Sequence, residues 1–182
     1  IIPAETGELA SGLVGQGRMA EPEKISKTIE DFFTSNSISR SFEGKTVLIT
    51  ADPTYESIDH ISFIGNHSSG KMGFSLAAEA AKRGGKVILI SGPSSLDISH
   101  PNIEIHRVTS AKEMFNEVFK HYETSDIVIA SAAVADYAPK EIASEKIKKN
   151  DDSLTIELVK NPDILKTMGE RKSRQFLVGF VF

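Results

Sequence analysis

The chain of 182 residues is 40% hydrophobic and 25% charged with a net charge of −4, which fits one globular domain with a sizeable core and an appendage. The acidic balance and the lack of a basic stripe argue against nucleic acid as a partner, and the absence of cysteine excludes disulfides, thiolate zinc sites and a cysteine nucleophile. The apolar runs are only a few residues long, so we expect no membrane span, no signal peptide and a cytoplasmic location.

The first 42 residues differ in composition from the rest of the chain. Residues 21–34 begin near a proline and place four apolar side chains at helical spacing, which predicts an amphipathic helix. These side chains are Ile25, Ile29, Phe32 and Phe33. The serine-rich stretch 35–43 is typical of a linker. We therefore predict an N-terminal region over residues 1–42 and a second domain over residues 43–182.

From residue 45 onward, short apolar segments alternate with helical patterns. The predicted strands are 46–50, 86–91, 103–108, 126–130 and 176–180. The first predicted helix after residue 45 has an apolar face formed by Phe74, Ala77, Ala78 and Ala81. The second begins with a capping box of Ser110 and Glu113. Its apolar face is formed by Met114, Phe115, Val118, Phe119 and Tyr122. Continuous apolar strands between helices predict a parallel sheet covered on both faces, an α/β doubly wound, Rossmann-like fold.

A glycine-rich segment, residues 65–73, precedes the first of these helices. Backbone N–H groups, the helix dipole and little side-chain bulk are typical of a turn that binds phosphate. Its candidate residues are Ser68, Ser69, Gly70 and Lys71. The spacing of Gly65, Gly70 and Lys71 also matches a Walker A loop, although Met72 replaces the hydroxyl residue that binds magnesium. A third interpretation is a helix start whose glycines only allow close packing.

The loop after the fourth predicted strand is a second candidate, because ligands of a doubly wound sheet bind beyond the carboxyl ends of strands. Residues 131–135 are small, so a ligand can approach the backbone while Asp136 meets a ribose, an amine or a magnesium–phosphate group. The alternative is that the alanines pack the strand end and Asp136 caps a turn. The first strand end lacks the Gly-x-Gly-x-x-Gly fingerprint, which argues against an NAD(P)-dependent oxidoreductase without removing that alternative.

Two further clusters contain basic residues. Residues 145–149 form a basic run that is either a solvated surface or part of an anion site. Residues 160–163 predict a third helix start, with Asn161 as the N-cap and Pro162 in the first position. Together with the glycine-rich segment, these clusters would surround a triphosphate.

In this order along the chain, the segments resemble bacterial phosphopantothenoylcysteine synthetase, the ligase of coenzyme A biosynthesis. The matching motifs are Thr-x-Glu-x-Ile-Asp at 54–59, Asn-His-Ser-Ser-Gly-Lys-Met-Gly at 66–73, Ala-Ala-Val-Ala-Asp at 132–136, Lys-Ile-Lys-Lys at 146–149 and Val-Lys-Asn-Pro-Asp at 159–163. Residues 9–19 resemble the closing segment of the flavin-dependent decarboxylase to which many bacteria fuse this synthetase. The resemblance therefore predicts a fragment that starts near the end of the decarboxylase and stops inside the synthetase.

The resemblance implies that the carboxylate of 4′-phosphopantothenate attacks the α-phosphate of CTP, and that the amine of cysteine then displaces CMP from the acyl-cytidylate. It also implies Mg²⁺ without a specified ligand set, FMN only on the decarboxylase part, and a homodimer through the synthetase domain within a higher oligomer of the bifunctional protein. By the same resemblance Lys146 faces the α-phosphate and Asn66 contacts the acyl-cytidylate. The implied nucleotide-binding residues are Ala132, Ala133, Asp136, Lys160, Asn161, Pro162, Asp163 and Phe180.

Three residues depart from the family pattern. Asp52 stands where the family usually has glycine, so we expect a carboxylate that faces the phosphates. Ser62 stands where an arginine is common, which removes an expected anion contact. Ser11 stands where many decarboxylases have a proton-donating cysteine, and serine is the poorer donor. These departures leave open a non-catalytic fragment that binds nucleotide or partner subunits.

Overall fold

The computed structural model describes residues 2–8, 12–35, 40–148 and 153–180. The chain divides into two compact units, with the division between residues 39 and 40. The linker predicted over residues 35–43 lies partly outside the described residues. In the described ranges, no helix has the length and apolar character needed to cross a membrane.

The first unit consists of a hairpin and a helix. Strands β1 (Glu5–Glu8) and β2 (Val14–Arg18) pair antiparallel, and helix α1 (Pro22–Ser35) follows. Lys24 Nζ lies 2.7 Å from Glu5 Oε1 and joins the helix to the hairpin. The helix and the position of its proline confirm the prediction, whereas the hairpin was missed because its glycine-rich strands carry no alternation of apolar and polar residues. The side chains of Phe32 and Phe33 lie outside the part of the chain that the structure describes.

The second unit is built around a five-stranded parallel sheet. In chain order its elements are β3 (Thr46–Ala51), β4 (Tyr55–Ser57), β5 (Phe63–Gly65), α2 (Lys71–Lys82), β6 (Lys86–Ser91), β7 (Ile103–Arg107), α3 (Ala111–His121), β8 (Ile127–Ala130), β9 (Tyr137–Pro139), β10 (Leu158–Lys160), α4 (Ile164–Glu170) and β11 (Phe176–Gly179). The sheet has the strand order β11-β8-β3-β6-β7. All of its pairs are parallel, which confirms the predicted α/β doubly wound fold. The antiparallel pairs β4–β5 and β9–β10 were not predicted.

Helices cover both faces of this sheet because successive side chains of a strand point to opposite faces. In β3, Val47 and Ile49 pack against α2, whereas Leu48 packs on the other face against α3 and α4. Ala77 of α2 is fully buried, as predicted, but the neighbouring Ala78 is exposed because it lies one position off the apolar face. Each helix therefore holds the sheet by one stripe of apolar residues.

Two helix starts test the capping predictions. The capping box of α3 is confirmed, since Glu113 N–H donates to Ser110 Oγ at 3.2 Å and Ser110 N–H donates to the Glu113 carboxylate at 3.3 Å. The prediction that Asn161 caps the third helix is wrong, because Asp163 caps α4 by accepting from Lys166 N–H at 2.8 Å. Asn161 instead donates its side-chain amide to the carbonyl of Ala135 at 2.8 Å.

The direction in which strands are added reverses beside β3. The chain adds β6 and β7 on one side of β3 and then returns to add β8 and β11 on the other side. The loops that follow β3 and β8 therefore leave the same edge of the sheet in opposite directions. A crevice at such a point is where ligands of doubly wound sheets bind.

We expect the substitution Ser110→Ala to lower the free energy of unfolding by about 1 kcal/mol, because it removes the acceptor for the Glu113 N–H group. Urea denaturation of the parent and variant measures this difference. Ser95→Ala, at an exposed loop position, is the control and should leave the midpoint unchanged. Equal midpoints for both variants would show that the capping box does not stabilise the domain.

Candidate functional site

Two adjoining cavities lie at the carboxyl ends of β3, β8 and β11. The large cavity has a volume of about 480 Å³ and the second, which we call the cradle cavity, about 360 Å³. They adjoin because Ala130, Ala132 and Phe180 line both. The cavities therefore occupy the crevice between the loops that follow β3 and β8.

The large cavity contains most of the residues that the sequence associated with a nucleotide. These are Ala132, Asp136, Lys160, Asn161, Pro162, Asp163 and Phe180. Ala133 lines the cradle cavity instead. Asp136 and Lys160 are exposed. Lys160 pairs with Tyr137, the residue that follows Asp136, so Asp136 and Lys160 occupy neighbouring positions of one antiparallel strand pair. Among the described residues neither side chain has an ion-pair partner, so both charges are available to a ligand.

Hydrogen bonds fix the small-residue loop, residues 131–135, which lines both cavities. Ser131 Oγ donates to the carbonyl of Thr50 at 2.6 Å, and Ala133 N–H donates to the carbonyl of Asp52 at 2.9 Å. Ala135 N–H donates to the hydroxyl of Thr54 at 3.0 Å. Because the side chains of the loop are small, its backbone forms the cavity wall.

The cradle cavity is lined by the N-terminal turn of α2. Ser68, Ser69, Gly70 and Lys71 line it, and their binding of phosphate stays a prediction. Gly70 is the N-cap with φ 66°, and no side chain caps the helix. The N–H groups of a first helical turn have no partner within the helix, so here they are free to meet an anion.

The Walker A alternative does not fit this geometry. A P-loop leads from a strand of the parallel sheet directly into a helix. Here Gly65 ends β5, which within the described residues pairs with β4 in an antiparallel hairpin separate from the parallel sheet. Met72 is also 40% exposed at the helix start and supplies no oxygen ligand.

Asp52 contradicts the expectation that its carboxylate faces the cavities. Its side chain is 1% exposed and lines neither cavity. One carboxylate oxygen, Oδ2, accepts from Ser91 Oγ at 2.7 Å, while the buried Oδ1 has no hydrogen-bond partner in the part of the chain that the structure describes. The carboxylate lies behind Gly70, where a Cβ would come within 1.6 Å of Oδ1. Gly70 is therefore required both for its backbone conformation and for the space that Asp52 fills.

Asn66 joins the two loops around the crevice. Its side-chain amide donates to the carbonyls of Ala133 and Val134 at 3.3 and 3.0 Å. It lines neither cavity. The structure thus brings Asn66 to the small-residue loop, and a contact with an acyl-cytidylate stays a prediction.

Lys146 is exposed and lines neither cavity. Its segment is attached to the turn between β4 and β5, where Ala143 N–H donates to the carbonyl of Ile58 at 2.9 Å and Ile147 N–H donates to Asp59 Oδ2 at 3.0 Å. Lys149, from the same basic run, lies outside the described residues. The structure therefore fixes the base of this segment without bringing the Lys146 side chain into a cavity.

Two buried carboxylates hold the site together, and their motif alone predicted no separate role for them. Asp59 accepts from Ile61, Ser62 and Ile147 N–H groups, and these hydrogen bonds, that of Ile147 first, lower its pKa from 3.8 to about 2. Glu56 accepts from the N–H group of Ala111 at 2.9 Å. The feature of the sequence that could have indicated these two carboxylates is the polar Thr-x-Glu-x-Ile-Asp motif, whose two acidic residues are buried in the structure.

Comparisons with known proteins agree with the fold. Residues 42–182 match the sequence profile of the DNA/pantothenate metabolism flavoprotein C-terminal domain. The chain is similar to the coenzyme A biosynthesis bifunctional protein CoaBC of Bacillus subtilis (strain 168), with 50% identity over 180 residues, which are 99% of this chain and 44% of the relative. The corresponding protein of Haemophilus influenzae (strain ATCC 51907 / DSM 11121 / KW20 / Rd) is 45% identical over 181 residues, with the same coverage.

A solved structure is also similar. The crystal structure of the C-terminal domain of coenzyme A biosynthesis bifunctional protein CoaBC superimposes with a TM-score of 0.66 at 44% identity, covering 76% of this chain and 65% of that chain. The present chain spans less than half the length of the curated relatives described above.

The hydrogen bonds of Asp59 predict a pH dependence of stability. Because its pKa is lower in the folded than in the unfolded protein, the stabilisation is complete above about pH 4 and is lost as the pH falls towards about 2. We expect Asp59→Asn to reduce the melting temperature at neutral pH, with a difference from the parent that shrinks below pH 4. Thermal unfolding between about pH 7 and pH 2 measures it. Asp97→Asn, at an exposed carboxylate, is the control, and a difference that stays constant with pH would contradict the assignment.

The conformation of Asp52 generates a second prediction. Its φ of 71° is unfavourable for a residue with a side chain, so Asp52→Gly should raise the free energy of unfolding by about 1 kcal/mol. Ser91 keeps the carbonyl of Gly92 as an acceptor at 3.0 Å. Urea denaturation measures the change, and Asp52→Asn separates the backbone effect from the removal of charge. A less stable glycine variant would show that the buried carboxylate contributes more than its backbone conformation costs.

Proposed function

The chain belongs to the family of the DNA/pantothenate metabolism flavoprotein C-terminal domain, and on that premise we propose that it serves coenzyme A biosynthesis by ligating 4′-phosphopantothenate to cysteine with CTP. One observation supports this most directly: the large cavity and the cradle cavity adjoin at the crevice of the sheet. Together they offer a sugar and base site beside a turn of free backbone donors, which suits a nucleoside triphosphate.

The proposed reaction has two steps. In the first, a carboxylate oxygen of 4′-phosphopantothenate attacks the α-phosphorus of CTP, and the bond to pyrophosphate breaks. In the second, the amine of cysteine attacks the acyl carbon, loses a proton and displaces CMP. Catalysis of the first step is mostly positioning and stabilisation of charge on the phosphate oxygens.

We assign the phosphates to the cradle cavity and the nucleoside to the large cavity. The N–H groups at the start of α2 and the ammonium groups of Lys71 and Lys160 would bind phosphate oxygens. Phe180, which lines both cavities, would pack against the base or the sugar. The start of α4 is not part of this assignment, because the Asp163 carboxylate already caps it and accepts from Lys166 N–H.

The residues present fit Mg²⁺ bound together with the nucleotide. Mg²⁺ usually takes one or two carboxylates along with substrate phosphates, and the exposed Asp136 carboxylate supplies one at the edge of the large cavity. When bound there, the ion would neutralise charge on the triphosphate. Asp136 could otherwise accept from a ribose hydroxyl.

Lys146 is proposed as the cation that approaches the α-phosphate. Its segment is held at the β4–β5 turn by Asp59, while its own side chain is exposed. Binding of CTP would have to draw this side chain towards the crevice. The hydrogen bond from Ile147 to Asp59 would then hold the backbone beside Lys146 in place while its side chain moves.

For the N-terminal unit we propose the tail of a flavin-dependent decarboxylase, with FMN bound by the decarboxylase itself. The bifunctional relatives align with 99% of this chain, including residues before the matched domain, and this supports the proposal. Ser11, the departure from the decarboxylase pattern, lies outside the described residues. A homodimer through the synthetase domain and a cytoplasmic location belong to the same proposal.

Binding and turnover together test the proposed function. With Mg²⁺ present, CTP should raise the melting temperature of the 182-residue chain, and NADPH should not. CTP with 4′-phosphopantothenate should then release pyrophosphate. A CTP shift without pyrophosphate would indicate a non-catalytic nucleotide-binding fragment. A shift with NADPH alone would replace the proposal with an oxidoreductase.

We expect Asp136→Asn to weaken CTP binding about tenfold, because it removes a charged acceptor at the edge of the large cavity. Calorimetric titration with CTP and Mg²⁺ measures the affinity. Glu123→Gln, an exposed carboxylate that lines neither cavity, is the matched control. If both variants bind CTP as the parent does, Asp136 only caps a turn.

Lys146→Ala should lower the rate of pyrophosphate release at least ~100-fold while changing the stability by less than about 0.5 kcal/mol. CTP affinity should change little, since Lys146 lines neither cavity. Steady-state kinetics and urea denaturation separate the two effects. Lys172→Ala, at another exposed lysine, provides the comparison, and parental rates for Lys146→Ala would remove the residue from the mechanism.

A further inference from the structure

Away from the crevice, three potential metal ligands meet where edge strand β7 packs beside α3. His106 lies on β7, and Glu117 and His121 lie on α3. Their ligand atoms all lie within 4.8 Å of one another. We call these three residues the His–Glu–His cluster. None of them lines either cavity, so the proposed ligase reaction leaves them without a role.

The distances within the cluster suit a tetrahedral cation. His106 Nδ1 lies 2.9 Å from Glu117 Oε1, and His121 Nε2 lies 3.4 Å from the same oxygen. Zinc binds nitrogen and carboxylate oxygen at about 2.0–2.2 Å, so tetrahedral ligand atoms stand roughly 3.3 Å apart. Glu117 and His121 are four residues apart on one helix and therefore share a face. The 3.4 Å separation is the one expected at a shared tetrahedral metal, and the 2.9 Å separation lies about 0.4 Å below it.

The other nitrogen of His106 identifies the lone pair that a metal would use. Its Nε2 lies 3.0 Å from Glu104 Oε1, and when the ring proton is on Nε2 this N–H group donates to that carboxylate. In that tautomer Nδ1 directs its lone pair towards Glu117 Oε1. Two lone pairs at 2.9 Å repel each other unless a cation, either a proton or a metal ion, lies with them. A carboxylate that orients a histidine in this way is a regular feature of zinc sites.

Charge and exposure also fit an accessible site. Three basic side chains, Lys120, His106 and His121, lie within 3.4 Å of the Glu117 carboxylate oxygens. Lys120 occupies Oε2 at 2.6 Å and leaves Oε1 to the two histidines. The side chains of the cluster are between 16% and 24% exposed. A metal can therefore enter from solvent and keep one position open.

We propose that His106, Glu117 and His121 form a site for Zn²⁺ or a similar first-row transition cation, with a fourth position open to water. Two imidazoles and one carboxylate form a donor set that binds Zn²⁺ and that Mg²⁺, which prefers oxygen ligands, does not match. The metal would join β7 to α3. This role is independent of the nucleotide and of the proposed ligase reaction.

The test uses the untagged 182-residue chain without nucleotide. Calorimetric titration should show one Zn²⁺ per chain, a higher melting temperature with Zn²⁺, and visible absorption of bound Co²⁺ with tetrahedral intensity. His121→Ala and Glu117→Gln should each weaken Zn²⁺ binding more than about tenfold, and Glu104→Gln about tenfold through the orientation of His106. His100→Ala removes a histidine outside the cluster and should bind as the parent does.

Several results would overturn the proposal. If the parent chain binds no Zn²⁺, the three side chains form hydrogen bonds and ion pairs only, and the proposal is wrong. If His121→Ala and Glu117→Gln bind Zn²⁺ as tightly as the parent, the metal lies elsewhere. Circular dichroism of each variant, together with Zn²⁺ titration of the more conservative His121→Asn, separates loss of ligands from loss of fold: parental affinity in folded His121→Asn counts against the site.

Discussion

The parallel pairing of β3 with β8 is the interaction on which the candidate site depends. Four residue pairs, from Val47–Ile127 to Thr50–Ala130, set the register and end both strands at the same edge. The loops that follow then diverge because the connections run to opposite sides of the sheet. The crevice exists because no crossover helix fills the space between these loops. Because the residues after β8 are small, their backbone lines the crevice, where hydrogen bonds to Thr50 and Thr54 hold the loop.

The β4–β5 hairpin connects the separate parts of the site. It interrupts the connection between β3 and α2, and its polar side chains reach three neighbouring segments. Thr54, just before it, bonds the small-residue loop, Glu56 bonds the start of α3, and Asp59 bonds the segment that carries Lys146. A buried acceptor that loses its donor costs roughly 1–3 kcal/mol, so these contacts hold the loops firmly in place. The hairpin therefore couples the geometry of the cradle to that of the Lys146 segment.

Buried carboxylates in this protein are used in two different ways. Asp59 and Glu56 accept from backbone N–H groups, and for Asp59 these bonds lower the pKa. Asp52 instead has one oxygen bonded to Ser91 and one without a partner beside Gly70. Its charge lies close to the N-terminus of α2, whose partial positive charge favours an anion. The free donors on the cavity side of that turn remain for a ligand.

The sequence alone determined the elements whose signals are local. Apolar runs and helical spacing predicted the five strands of the sheet, the fold class and the capping box of α3. Several residues of the motifs line the two cavities, whereas Asn66 and Lys146 line neither. The hairpins were missed because their strands are short or rich in glycine, so that pairing depends on distant partners. Tertiary structure alone decided that Asp52 turns inward, that Asp163 caps α4 in place of Asn161, and that His106 meets Glu117 and His121. Each of these depends on which side chain from another segment lies opposite, and the order of residues along the chain does not contain that information.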